Sequence, residues 1–514
     1  MENRTRNSLL NMLSGISYQG ITAFLNVFIR KFFIQYIGIL YLGFDGFFAN
    51  IIAMMSLLDF GIATSASFFL SKELAKKSDE REILETYYSF NFLYKFIASL
   101  MVILGIIICL NLKLFVSSDT YSLGFLQTIF ILQFSRTISN FLLSTPRIAM
   151  QCMQRNYENI TIDVICSIVF SILKILVIIN LKNYQIYLVL LLIEVVSSNL
   201  IIRSRFKKVF KKGSISKSTN IESIKKILGY SKNIAVLNIS DFIYRSTDNI
   251  IIAYFSGMEM VGLLSNYYYV FTTIDALYTQ LYFSISASVT NFIHDDSVNT
   301  DDNKNRIFNL MSFLAFTMGA FCITFLSLLT GPFISVFFGN KYVLDVSIVL
   351  LLAMNFSVTI LHGPLTIFIN AIGKADMQSK YSIMSTLMNL FISICSYPFL
   401  GVKGVLLGTF ISNSIYYLFR MKIIKKYCFE NYDYYFHRLI IYAATFLLIM
   451  IFSGVVVTRI EYTWITFMLL IVIGIGLYSL IIFFYRKTYE FSNLYNIIMN
   501  ELMIVRNRTK KGSS

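Results

Sequence analysis

Charge is scarce in this 514-residue chain: Asp, Glu, Lys and Arg make up only 14% of it, against 56% hydrophobic residues and a mean hydropathy of +0.66. A soluble globular domain carries about 25% charge, so a soluble fold is excluded and a polytopic membrane protein is indicated. No G-x-x-x-x-G-K-[ST] loop is present, which removes ATP binding by a P-loop. The three His (His294, His362, His437) lie far apart, and the six Cys form no C-x-x-C pair, so no metal-site spacing exists. Alternating apolar–polar runs are absent, and only helices and closed barrels span bilayers, so the spans are helical. The N-terminal MENRTRNSLLNML lacks a removable secretory pattern and reads as a cytoplasmic lead. No outer loop is long enough for an extracytoplasmic catalytic domain, so the expectation is a protein that is not an enzyme.

What is present is a series of apolar runs. Arg30–Asp79 sets the pattern, with a short turn, an apolar run from about Ile39 to Leu70 and a basic exit. That run exceeds the roughly 20 residues that cross a bilayer, yet it holds Asp45 and Asp59. Charges at such depth usually face a bundle interior or water. Helix 4 is read as continuous from about Ser122 to Met150. In all, the runs predict about 14 transmembrane helices. With the N-terminus inside, about 33 Lys and Arg fall in inside segments and about 7 outside, which places both termini in the cytoplasm. The net charge of +16 therefore belongs to topology and to anionic lipids, and no nucleic-acid partner is implied. Behind the last span, Phe491, Leu494, Ile497, Ile498 and Met503 have the spacing of an amphipathic tail.

A weak internal echo joins LGFDGFFANI at Leu42 to VGLLSNYYYV at Val261. The two start roughly 219 residues apart, and each precedes an Asp (Asp59, Asp275) in its helix. Transporter folds are often built from such repeats, with the substrate site between them. The expected organisation is an N-lobe at 1–205 with helices 1–6 and a basic cytoplasmic linker at 206–230. A C-lobe at 231–425 holds helices 7–12, helices 13–14 occupy 426–485, and a cytoplasmic tail 486–514.

The in-span cations are the candidate binding residues. Arg136 lies mid-helix among Ser135, Thr137, Ser139 and Asn140, which reads as a wet polar face. Arg30 and Lys31 sit near an outer helix end and either face a cavity or snorkel. Arg147 follows Pro146. Lys95 and Lys174 are deep enough to need a partner, and Asp163 or Glu194 is the alternative to a binding role. Arg245 pairs with Asp248 at i, i+3, with Asp241 one turn before. Asp241, Asp248, Asp275 and Glu194 are candidates for binding a coupling ion, Na⁺ or H⁺. No other cofactor is expected. Tyr267–Tyr269 either stack on a sugar or pack.

Several stretches in order resemble one family. RKFFIQYIGILYLGFDGFF and LLDFGIATSASFFLSKELAKKSD are similar to the first two helices of Wzx-type polysaccharide flippases. These belong to the multidrug/oligosaccharidyl-lipid/polysaccharide (MOP) exporter superfamily, and the likeness is to the Gram-positive branch. PRIAMQCMQRNY, STDNIIIAYFSG, VFFGNKYVLD and NLFISICSYPFLGVKGVLLGTFIS extend it over roughly Leu9–Arg420. Phe60 departs from the family, which more often has Leu there.

The resemblance implies an all-α fold of two pseudo-symmetric six-helix lobes plus two extra helices, in the bacterial cytoplasmic membrane. It implies a flippase that moves undecaprenyl-diphosphate-linked oligosaccharide from the inner to the outer leaflet by alternating access. Polysaccharide polymerase and chain-length proteins would be its partners. A multidrug or metabolite antiporter and a lipid II flippase of the same superfamily are the alternatives. An antiporter for organic cations would need an acidic cavity, whereas these candidates are mostly basic.

Overall fold

A computed structural model describes residues 2–76, 80–112, 122–209, 219–293, 301–372, 374–428 and 433–496; the side chains of 2–13, 16, 75, 76, 80, 232–234, 236–246, 280–288, 290–292, 301, 375, 376, 428 and 433–435 are outside the description. Among the described residues every regular element is helical. The chain runs through α1 (Glu2–Tyr36), α2 (Ile39–Ser56), α3 (Ile62–Lys76), α4 (Glu80–Leu110), α5 (Leu123–Leu143), α6 (Thr145–Cys152), α7 (Asn156–Asn180) and α8 (Tyr184–Val209). It continues through α9 (Ile221–Ser256), α10 (Met258–Ile293), α11 (Asp301–Phe338), α12 (Val346–Ala371), α13 (Ala375–Leu400), α14 (Val402–Cys428), α15 (Asp433–Val457) and α16 (Trp464–Tyr485). Among the described residues nine of these are long and apolar enough by themselves to cross a membrane.

Two of the apolar runs are broken, which corrects the expectation of one unbroken helix in each. The first yields α2 and α3. A 3₁₀ turn at Leu57–Asp59 ends α2, and Phe60 (φ 46°) and Gly61 (φ 74°) are both left-handed. Asp59 Oδ1 then accepts the Ala63 N–H at 3.3 Å, which caps α3. The second run yields α5 and α6. Pro146 stands in the first turn of α6, where its missing N–H costs nothing.

The chain divides into two compact units, Met1–Ser265 and Asn266–Ser514, with the boundary inside α10. In the first unit, Leu70, Ile83, Ala149, Met150 and Phe206 bring α3, α4, α6 and α8 together at one end. The two echoing segments also meet here. A Cβ on Gly43 would lie 2.0 Å from the Met258 carbonyl oxygen, and one on Gly262 would lie 2.5 Å from that of Ile39. α2 thus crosses the start of α10 through reciprocal glycines, closer than any side chain permits.

In the second unit, α13 and α14 pack through small and hydroxyl side chains: Asn389 donates to Thr409 Oγ1 at 2.9 Å and Ser385 to the Ser412 carbonyl at 2.9 Å. Both extra helices, α15 and α16, pack on α11, where Phe316 stacks on Tyr442 at 4.0 Å and Leu328 joins Val457 and Leu470. Residues 210–218 of the basic linker and the tail from 497 on, with Ile497, Ile498 and Met503, lie outside the described residues.

Candidate functional site

The first unit concentrates charge around Asp45 of α2. Its Oδ1 accepts from Tyr184 Oη at 2.5 Å and from Gln133 Nε2 at 2.7 Å, and Gln133 also donates to Tyr184 Oη at 3.2 Å. Tyr184 opens α8 and Gln133 lies mid-way along α5, so three helices converge on one carboxylate. Arg30 of α1 and Arg136 of α5 both lie within electrostatic reach of Asp45 and of Tyr187. Arg136 is three residues beyond Gln133, hence on the same face of α5. Its side chain is exposed, and among the described residues no carboxylate lies within ion-pair distance of it. Arg30 Nη2 donates to Ser265 Oγ at 2.5 Å, and Ser265 gives its own proton to the Gly262 carbonyl at 2.7 Å. An aromatic wall of Phe33, Tyr41, Tyr184 and Tyr187 flanks the cluster, with ring centroids 5.0–6.4 Å apart. Two guanidiniums against one carboxylate leave a net positive charge, and the carboxylate is already engaged.

The structure sorts the other sequence candidates by what they touch. Arg147 is held on all sides. Its Nη1 and Nη2 fork onto Asp163 at 2.5 and 3.0 Å, Nη2 reaches Ser198 Oγ at 2.9 Å, and Nε reaches Asn199 Oδ1 at 3.2 Å. Asn159 caps its carbonyl at 3.0 Å. Lys174 is buried and pairs with Glu194 at 3.0 Å. Lys31 and Lys95 are exposed, Lys95 beside the outward-facing Phe92 and Phe96 of α4. Asp248 is buried and Asp275 half-buried, the latter within electrostatic reach of Cys322. The side chains of Asp241 and Arg245 lie outside the described residues. Tyr267 is fully buried and its Oη accepts the Leu344 N–H at 2.8 Å, so it packs.

Asp45, Tyr184, Tyr187 and Tyr18 were not among the sequence candidates for binding. Tyr18 of α1 lies within electrostatic reach of Asp163, Glu194, Arg147 and Arg136. One signal for this set was present: Tyr184, Tyr187, Glu194, Ser198 and Arg205 recur at helical spacing along α8, a polar stripe on an otherwise apolar helix. At about 1.5 Å per residue it runs roughly 30 Å.

Long apolar helices and a basic, aromatic cluster in the first unit define a multi-pass membrane protein with charged groups gathered along its spans. Solved structures share the fold. A lipid II flippase, MurJ, in an inward closed conformation superposes with TM-score 0.64 at 16% identity, over 92% of this chain and 99% of that one. A multidrug resistance MATE-family transporter of the MOP superfamily, inward-facing, gives 0.57 at 13%, over 81% and 98%. A MOP superfamily transporter from Pyrococcus furiosus, described by the reverse polarity of its binding pocket, gives 0.56 at 14%, over 82% and 95%. No curated protein matches the sequence. The family model for a polysaccharide biosynthesis protein matches residues 46–348, more than half of the chain. The chain therefore belongs to the polysaccharide biosynthesis protein family, and its fold is that of the MOP superfamily.

Proposed function

We propose that this protein carries an undecaprenyl-diphosphate-linked oligosaccharide from the inner to the outer leaflet of the bacterial cytoplasmic membrane by alternating access, with both termini in the cytoplasm. The observation that carries the proposal is Arg136. It is an exposed guanidinium without a carboxylate partner among the described residues, beside an Asp45 already held by Tyr184 and Gln133. A cation at that depth is costly unless something compensates it, and a diphosphate does so. The planar fork of Arg suits phosphate oxygens, and the neighbouring aromatic faces suit sugar rings. A carrier of organic cations would reverse this balance and put carboxylates in excess.

Family membership supports the polysaccharide pathway, and the lipid II flippase fold supports handling of a lipid-linked precursor. Coupling to Na⁺ or H⁺ belongs to the same proposal, with Asp248 and Asp275 as its candidates because Glu194 is engaged by Lys174. Proteoliposomes of the purified protein test the reading. Translocation of an undecaprenyl-diphosphate oligosaccharide, followed by access of an outside lectin, is expected to depend on the protein and to fail for the same glycan on a neutral prenol. Equal transport of the neutral lipid contradicts it.

A further inference from the structure

The second unit holds a polar cluster unconnected with Asp45, where α12, α13 and α14 pack. Arg420 of α14 is only 3% exposed. Its Nη1 donates to His362 Nδ1 at 2.9 Å, and its Nη2 donates to Thr366 Oγ1 at 2.6 Å and Gln378 Oε1 at 3.2 Å. The guanidinium lies over the Tyr416 ring, 5.2 Å from its centroid, and the His362 ring stacks on the same tyrosine. The titratable groups facing Arg420 are His362, Tyr416 and Tyr417, and among the described residues no carboxylate faces it. A guanidinium removed from water without a counter-charge carries a heavy desolvation penalty, which hydrogen bonds to neutral groups offset only in part.

The hydrogen-bond count leans the same way. A guanidinium has five N–H donors. The three acceptors above take three of them, and Nε–H has no partner. Because Arg420 can only donate, His362 Nδ1 accepts, and the imidazole proton sits on Nε2. Asn413 stands beside that nitrogen as its neighbouring polar group. Thr366 cannot help, since its own proton goes to the His362 carbonyl at 2.9 Å. Among the described residues the cluster thus holds a guanidinium without a counter-charge and a buried Nε–H without a partner, and buried donors in native proteins are normally satisfied.

We propose that Arg420, beside His362, binds a small inorganic anion of halide size within the α12–α14 packing. Burial sets the size: His362 is 7% exposed and Arg420 less, so a lipid headgroup or a hydrated phosphate does not fit without opening the bundle. The bound anion neutralises the guanidinium and ties three helices of the second unit together. This site is independent of the transport reading.

The test is thermal unfolding of the purified full-length protein in sodium gluconate, chloride, bromide or phosphate at equal ionic strength. Ligand that binds only the folded state raises Tm by mass action. A saturable rise of a few degrees in chloride and bromide over gluconate is expected, with phosphate no better than gluconate. Gln378→Glu places a carboxylate where the amide oxygen now contacts the guanidinium. It is expected to reach the chloride-saturated Tm in gluconate and to lose the halide response. This variant supplies the missing charge, so it does not depend on a crippled fold. Equal Tm in gluconate and chloride for the wild type overturns the proposal, as does a phosphate-selective rise or an undiminished halide response in Gln378→Glu.

Discussion

Arg147 is the most fully engaged of the candidate cations, and replacing it separates architecture from transport. Its guanidinium forks onto Asp163, also binds Ser198 and Asn199, and joins α6 to α7 and α8. The pair is mostly shielded, with side chains 28% and 19% exposed. Arg147→Met would leave Asp163 with one remaining donor, Ser198 at 2.6 Å. Breaking a buried pair from one side costs about 3–5 kcal/mol; partial exposure puts this case at the lower end, about 3 kcal/mol. Arg147→Lys keeps the charge but loses the fork, for about 1–2 kcal/mol. Removing both charges, with Asp163→Leu added, is expected to recover much of the loss, because the uncompensated carboxylate is then gone. Thermal unfolding in detergent and the folded yield from membranes report the ranking. If Arg147→Met has wild-type stability but exports no glycan, Arg147 acts on substrate and the structural assignment is wrong.

Other consequences follow from the same geometry. Lys174→Met is expected to destabilise the protein by about 3 kcal/mol, since it leaves the half-buried Glu194 without its ion partner. Adding Glu194→Gln should rescue it, which a double-mutant cycle on Tm checks. Gly43→Ala places a Cβ 2.0 Å from the Met258 carbonyl oxygen, whereas Gly46→Ala meets only the Val261 side chain at 3.5 Å. The first is expected to lower stability and export sharply and the second to be near neutral, measured by folded yield and surface glycan. Asp345 precedes α12, accepts from Lys403 at 2.6 Å and caps the helix through the Ser347 N–H at 3.0 Å. The Lys403 hydrogen bond, with the Ser347 N–H, holds its carboxyl below the usual carboxylate range. Its contribution is therefore present above the unfolded pKa of about 4 and is lost as pH falls through the lower folded value. At this exposed position it is at most about 1 kcal/mol, and Asp345→Asn should flatten the acid side of the Tm–pH curve.

The helices were legible because hydrocarbon imposes them: apolar runs of spanning length have no alternative fold. Their interruptions were harder to read. Nothing in LLDFGI forces Phe60 into the left-handed region, which costs a bulky side chain about 1–3 kcal/mol; tertiary packing holds it there, and only Asp59 and Gly61 hinted at a break. Ser144-Thr145-Pro146 carried a plainer signal, a Pro suited to a helix start. For the site, the cations were visible one at a time but their partners were not. Asp45 meets Tyr184 across 139 residues and Gln133 across 88, and no local pattern reports such separations. Lys174 had Glu194 among its two foreseeable partners, because an amine at that depth needs a carboxylate. Arg420 went unnoticed because it ends an apolar helix ahead of a basic segment, where an Arg reads as a topology signal.

The central claim rests on Arg136 acting on the diphosphate of the substrate. The most direct measurement is flipping of undecaprenyl-diphosphate oligosaccharide in proteoliposomes by wild type, Arg136→Lys and Arg136→Gln, each with folded yield and Tm recorded. Arg136 is exposed and unpaired among the described residues, so all three proteins are expected to fold equally. Flipping is expected to fall partly in Arg136→Lys, which keeps the charge without the fork, and to be lost in Arg136→Gln. Wild-type flipping by a well-folded Arg136→Gln would contradict the account.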